Sequence, residues 1–154
     1  MSLPPFQVFL DDHAEPIHRF LVALVGPQEA EDVLQETLIA ALRAYPRLRA
    51  DSNLRAWAFS IARNKAIDFT RARGRRPVPV DGAGDHLVAP VAPEVDADLW
   101  AAVRGLPPRQ RTAVALRFAA DLTHRDVGAA MGCTEEAARR SAADGLKRLR
   151  EVLT

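Results

Sequence analysis

Trp57-Ala-Phe-Ser-Ile-Ala-Arg-Asn-Lys-Ala-Ile-Asp-Phe-Thr-Arg-Ala-Arg-Gly-Arg-Arg-Pro77 begins with aromatics and ends in a basic tail. Ile61, Ile67 and Phe69, with Trp57 and Phe59 nearby, supply apolar surface at helical spacings, while Arg63, Asn64, Lys65, Arg71 and Arg73 project elsewhere. The stretch therefore reads as one amphipathic helix, with Gly74 and Pro77 as its stop and Arg75 and Arg76 at its exit. A helix that packs on one side and shows cations, an amide and aromatics on the other suits a charged strand carrying stackable bases. Nucleic acid is the expected ligand.

On the N-terminal side, residues 5–25 read as a helix broken or kinked at Pro16, its buried face marked by Phe6, Phe9, Leu10, Ile17, Phe20, Leu21 and Leu24. Gly26-Pro27 ends it. A second helix runs from about Gln28 to Ala44, with Val33, Leu34, Leu38, Ala41 and Leu42 as its stripe, and Pro46 closes it. Three helices with short connections make one bundle. On the C-terminal side the texture changes, because residues 77–93 hold four prolines, two glycines and no helical period, as a flexible linker does. Four shorter helices follow. Val95, Leu99, Trp100 and Val103 form one stripe; Pro107-Pro108 opens the next helix, where Val114, Leu116 and Phe118 supply apolar mass. Thr123 caps a third helix that ends at Gly132-Cys133-Thr134, and Thr134 caps a last one reaching Val152. Short helix, three-residue turn with glycine, longer helix is helix-turn-helix grammar.

The composition agrees with an all-α fold in two small helical domains, because Ala, Leu and Arg dominate and β-branched alternation is scarce. No apolar run approaches the about 20 residues that span a bilayer, and no secretory pattern opens the chain, so membrane insertion is not expected. Cys133 is alone, which fits a reducing cytoplasm. The four histidines lack metal-ligand spacing, and no nucleophile–base pairing or glycine-rich phosphate loop is present. Neither a metal, a cofactor nor catalysis is therefore expected. The net charge of +1 conceals a segregated chain. Residues 1–42 carry seven acids against Arg19, residues 43–76 ten bases against Asp51 and Asp68, and residues 77–103 five acids and no base. Such segregation implies separate surfaces for separate partners, at least one of them a polyanion.

Four motifs in order resemble an extracytoplasmic-function (ECF) sigma factor of bacterial RNA polymerase, and the resemblance covers nearly the whole chain. Ala30-Glu-Asp-Val-Leu-Gln-Glu-Thr37 resembles the acidic signature of sigma domain 2. Arg55-Ala-Trp-Ala-Phe-Ser-Ile-Ala-Arg-Asn64, followed by Ala66-Ile-Asp-Phe69 and an arginine cluster, resembles the promoter-melting helix. Leu106-Pro-Pro-Arg-Gln-Arg111 is similar to the entry of sigma domain 4, and residues 122–150 to its helix-turn-helix. The resemblance implies sigma domain 2 over residues 1–76, a linker over 77–93 and sigma domain 4 over 94–154. It implies a cytoplasmic factor that binds core RNA polymerase and promoter DNA and directs initiation, held inactive by an anti-sigma factor. No further C-terminal sensor domain is expected.

By the same resemblance, Asp32, Gln35 and Glu36 fall on the positions that dock on the polymerase clamp helices. Asn53, Arg55, Trp57, Asn64, Lys65, Arg71, Arg73, Arg75 and Arg76 fall on the −10 surface, where the loop holding Asn53 captures a flipped base. Arg109, Arg111, Thr134, Arg139, Arg140, Lys147 and Arg148 fall on the −35 surface. Here the chain departs from the family pattern. Asp144 stands where a cation is common, Glu135 and Glu136 precede the arginines, and Gly145 weakens a helix by roughly 1 kcal/mol relative to Ala. Weaker or unusually selective −35 binding is expected. Two other readings remain at this stage: a sigma-like decoy or partner-switch protein, and an ordinary helix-turn-helix regulator. Cys133 is read as packing rather than redox-active, and His124 as surface.

Overall fold

The computed structural model describes residues 3–75 and 94–153, with side chains at 3–73 and 98–153. The expected linker over 77–93 and Arg76 lie outside the described residues, and so does the side chain of Arg75. Seven α-helices carry the fold, with no strand among the described residues: α1 Phe6–Val25, α2 Pro27–Ala44, α3 Leu54–Arg75, α4 Glu94–Arg104, α5 Pro108–Val114, α6 His124–Met131 and α7 Glu135–Leu153. A 3-10 turn, Tyr45–Arg47, follows α2, and a π-helical turn, Ala115–Ala119, extends α5.

Helices α1, α2 and α3 form the first unit. Phe9, Ile17, Phe20 and Leu21 of α1 pack with Val33 and Ala41 of α2 and Phe59 and Ala62 of α3, all essentially inaccessible to water. Burial of each large side chain contributes about 1.5–3 kcal/mol. Phe20 and Phe59 meet edge to face at 5.5 Å, and Phe9 touches Tyr45 and Trp57 in a second aromatic group. The Tyr45 hydroxyl donates to the carbonyl of Pro4, which pins the chain ahead of α1. Thr37, the one buried polar side chain of α2, donates to the Val33 carbonyl at 2.8 Å. Gly26 joins α1 to α2 at φ 90°, a conformation that a side chain would oppose.

Three expectations about these helices change. Of the break or kink expected at Pro16, the break is absent: α1 is one helix from Phe6 to Val25, and the proline removes one ladder bond without dividing it. Helix α3 starts at Leu54 and passes through Gly74 to Arg75 rather than stopping at the glycine. Leu42, expected in the buried stripe of α2, is 54% exposed. The other expected members hold: Val33 and Ala41 are buried, and Leu34 and Leu38 half-buried.

Helices α4 to α7 form the second unit. Thr123 caps α6 by accepting from the Asp126 amide at 3.1 Å, and Thr134 caps α7 by accepting from Ala137 at 3.0 Å. Gly132 ends α6 in the left-handed region at φ 71°. A Cβ on Gly128 would lie 2.9 Å from the Cys133 carbonyl, so α6 and the turn approach as closely as only glycine allows. Gly145 serves the same end on α7: a Cβ there would lie 2.6 Å from Cγ2 of Val114, where α7 crosses α5. The glycine read as a weak point of the last helix is a packing contact. Phe118, read as apolar mass of this helix, is 49% exposed, because it stands two residues from the buried Leu116 and so on the opposite side of the helix.

The two units are in contact. Helix α6 lies on α3, while α4 and the π-helical turn lie on α1. Buried residues of both units, from Phe9 and Phe59 to Leu116, Leu122 and Met131, form one continuous apolar core. Arg19 donates to the Ala119 carbonyl at 3.2 Å, and Arg104 donates to that of Val22 at 3.3 Å, across the same boundary.

Candidate nucleic-acid and partner interfaces

Helix α2 presents an acidic face because Ala30, Val33, Thr37 and Ala41 take its buried side. Asp32, Gln35 and Glu36 are all exposed on the opposite side, and neither carboxylate has an ion pair among the described residues. Sequence reasoning missed what continues this face. Ile39 is 50% exposed and follows Asp32, Gln35 and Glu36 at helical spacing, with Leu42 three residues further. Acids at one end and two open aliphatic side chains at the other make a surface suited to a protein partner. The signal was present in the spacing 32, 35, 36, 39 and 42, which holds one face.

The −10 residues predicted from the sequence sit at two levels. Asn53 is the N-cap of α3: its Oδ1 accepts from the Ala56 amide at 3.1 Å. Its Nδ2 donates to Oδ1 of Asp126 on α6 at 3.0 Å. Both ends of the amide are thus engaged, one with its own helix and one with the second unit. Arg55 is exposed, and its charge together with burial lowers the pKa of His13 below the ordinary value, burial being the larger cause. Trp57 is half-buried against Phe9 at 5.6 Å and Tyr45 at 6.2 Å.

Further along α3, Asn64 is exposed and accepts from Arg63 at 3.2 Å, while Arg63 also donates to the Met131 carbonyl at 3.4 Å. Lys65 is half-buried and Arg71 exposed. Arg73 pairs with Glu29 at 2.8 Å and rests over the Phe69 ring at 5.8 Å. Asn64, Lys65, Arg71 and Arg73 therefore share one helix, whereas Asn53 and Arg55 stand at its N-terminal end.

On the second unit, α7 buries Ala138, Ala142, Gly145 and Leu149 and leaves Arg139, Arg140, Lys147 and Arg148 exposed. Arg139 is bound to Glu135 at 2.7 Å, one turn earlier on the same helix. Asp144 is exposed four residues after Arg140 and four before Arg148. The Thr134 hydroxyl is taken up as a cap. Arg111 holds the Leu106 carbonyl through Nε and Nη2, at 3.3 and 3.1 Å, which ties α5 to the loop before it. Arg109 is exposed on α5, away from α7's open face. The geometry thus groups Arg139, Arg140, Lys147 and Arg148 and sets Arg109 and Arg111 apart. Burial first, and Arg139 and Arg117 after it, lower the pKa of His124 at the start of α6. No group of His, Cys, Asp or Glu among the described residues suits a metal ion, and no described helix is long and apolar enough to cross a membrane.

Comparison with known proteins follows the same division. The family model for sigma-70 region 2 matches residues 9–76, and that for sigma-70 region 4 matches residues 102–151. An RNA polymerase sigma-H factor of Pseudomonas aeruginosa is 35% identical over 122 residues, covering 69% of this chain and 63% of that protein. ECF RNA polymerase sigma factor SigF of Caulobacter vibrioides is 34% identical over 128 residues, covering 82% of this chain and 72% of that one. ECF sigma factor SigE of Mycolicibacterium smegmatis is 29% identical over 99% of this chain, which spans 63% of its length. Among solved structures, the sigma factor RpoE bound to the anti-sigma factor NepR from Bartonella quintana superposes with a TM-score of 0.77 at 27% identity, covering 96% of each chain. CnrH in complex with the cytosolic domain of CnrY gives 0.70 at 21% identity, covering 96% of this chain and 86% of that one, a likeness of fold.

Proposed function

As the chain belongs to the ECF RNA polymerase sigma factors, we propose that it binds core RNA polymerase in the cytoplasm and directs initiation at particular promoters, without catalysis of its own. The observation that carries this reading is the pairing of two surfaces: an unpaired acidic face on α2 continued by Ile39 and Leu42, and a cationic α3 beside it. In this reading residues 1–76 bind polymerase and the −10 strand, 77–93 link, and 94–154 contact the −35 element. Asp32, Gln35 and Glu36 dock on polymerase, with Ile39 and Leu42 burying apolar area beside them.

Opening of the −10 duplex is then a matter of binding. A factor that holds the unstacked strand and not the duplex shifts the equilibrium toward melting by its difference in affinity. Lys65, Arg71 and Arg73 supply charge, and Asn53 supplies an amide able to pair with a base edge. The Asn53–Asp126 hydrogen bond occupies that amide while α6 lies on α3. Strand capture therefore requires the two units to part, and an anti-sigma factor is the partner expected to hold them together.

Run-off transcription with core polymerase on a promoter library tests the reading. Wild type initiates at specific promoters, Asn53→Ser keeps the cap and loses −10 preference, and Arg139→Ala loses −35 preference. Absence of promoter-dependent transcripts would overturn it. A second reading, a sigma-like partner-switch protein with weakened DNA reading, draws on the Arg139–Glu135 pair and on Asp144. Promoter-dependent initiation excludes that one.

A further inference from the structure

A crevice of about 330 Å³ opens between α3 and α5 where the two units meet. Arg63 and Arg71 of α3 and Arg109 and Arg111 of α5 line it, and no carboxylate among the described residues does. None of the four arginines has an ion pair among the described residues. Their known hydrogen bonds go to neutral acceptors: Arg63 to the Met131 carbonyl and the Asn64 amide oxygen, Arg111 to the Leu106 carbonyl. The Nε of Arg63 is buried with no hydrogen-bond partner among the described residues. Four positive charges thus face one crevice from two units, Arg63 and Arg111 half-buried and Arg71 and Arg109 exposed, and an anion is the ligand that complements them.

Size narrows the choice of anion. The volume lies at the lower end of the about 300–1,000 Å³ that small-molecule sites occupy. The lining is mixed, because Ile67 and Met131 present apolar surface beside the guanidinium groups. Guanidinium forks match phosphate oxygens two at a time, and aliphatic and thioether groups accept a flat ring.

We propose that this crevice binds a small polyanion with an apolar body, of the nucleoside polyphosphate class. The phosphates meet Arg71 and Arg109, one from each unit, and the base lies against Ile67 and Met131. Because the site exists only while α5 and α3 face each other, the ligand favours the closed arrangement by mass action. Binding itself does not depend on the reading as a sigma factor, and its measurement needs neither polymerase nor promoter.

Isothermal titration of the full chain with ATP, inorganic pyrophosphate and adenosine tests the proposal. ATP is expected to saturate one site, pyrophosphate to bind about tenfold more weakly, and adenosine not to saturate. Arg71→Ala/Arg109→Ala, both at exposed positions, weakens ATP by at least about tenfold. Arg43→Ala/Arg47→Ala removes equal charge outside the crevice and changes affinity less than about twofold. Circular dichroism verifies that each variant keeps its helices. ATP that fails to saturate at millimolar concentration, or that binds the Arg71/Arg109 variant as well as wild type, would overturn the proposal. So would equal affinity for pyrophosphate and ATP, which removes the apolar body, or binding of a short single-stranded oligonucleotide at these arginines when ATP does not bind.

Discussion

Helices α3 and α7 are both long and arginine-rich, yet they keep their cations in different company. Helix α3 carries six bases against one acid, Asp68, and its one ion pair among the described residues reaches out to α2. Helix α7 carries five bases against four acids, and Glu135 holds Arg139 within the helix itself. Anchoring differs as well, since α7 is wedged against α5 through Gly145 while α3 lies against α1, α2 and α6. The salt-dependent, sequence-independent part of nucleic-acid binding scales with the cations that are free to meet phosphate. On the proposed function, the difference assigns most of the affinity to α3 and leaves α7 a smaller, more discriminating share.

The largest expected effect probes how α7 is held. Gly145→Val is expected to destabilise the chain by about 2 kcal/mol in urea denaturation, because its Cβ alone already collides with Val114. An increase in stability, as helix propensity alone dictates, would break the account of α7 as a wedged helix. Next comes the charge on α3. Lys65→Ala/Arg71→Ala lowers affinity for a single-stranded −10 oligonucleotide roughly 20-fold near physiological salt and flattens the salt dependence, as loss of two phosphate contacts requires. Equal loss from Arg140→Ala/Lys147→Ala on that probe would erase the contrast between the helices.

A smaller gain sharpens it. Asp144→Asn, which removes the carboxylate standing between Arg140 and Arg148, strengthens binding to duplex −35 DNA by about three- to fivefold in a gel-shift titration. Asp126→Ala frees the Asn53 amide and raises affinity of the free chain for the −10 strand about twofold by fluorescence anisotropy. The slightest effect concerns pH. Burial, then Arg139 and Arg117, hold His124 below its ordinary 6.5, so the unfolded chain binds that proton more readily than the folded one. Stability from this group is present above about pH 6.5 and declines as pH falls below it. His124→Asn should flatten that part of the profile in thermal melts between about pH 7.5 and 5.

The sequence exposed the parts of this architecture that are written locally. Thr123, Gly132 and Thr134 announce their helix ends because a cap needs only its own neighbours, and all three act as expected. Residues whose roles depend on another element were misread or overlooked. Gly145 looked like a flaw since its partner, Val114, is distant in the chain. Leu42 and Phe118 are apolar enough to suggest core, yet each lies beyond the edge of its helix's buried face, whose width is set by what packs against it. Asn53 was recognised by its position in a loop, but neither its capping bond nor its contact with Asp126 is visible without the fold.

The continuous apolar core that joins the two units gives their association a thermal character. Leu116, Leu122 and Met131 sit in the same buried cluster as Phe9 and Phe59, so parting the units wets hydrocarbon and carries a positive heat-capacity change. Contacts of that kind weaken on cooling. The apolar share of what holds the units together thus falls as temperature drops, and with it the resistance to the parting that strand capture is proposed to need.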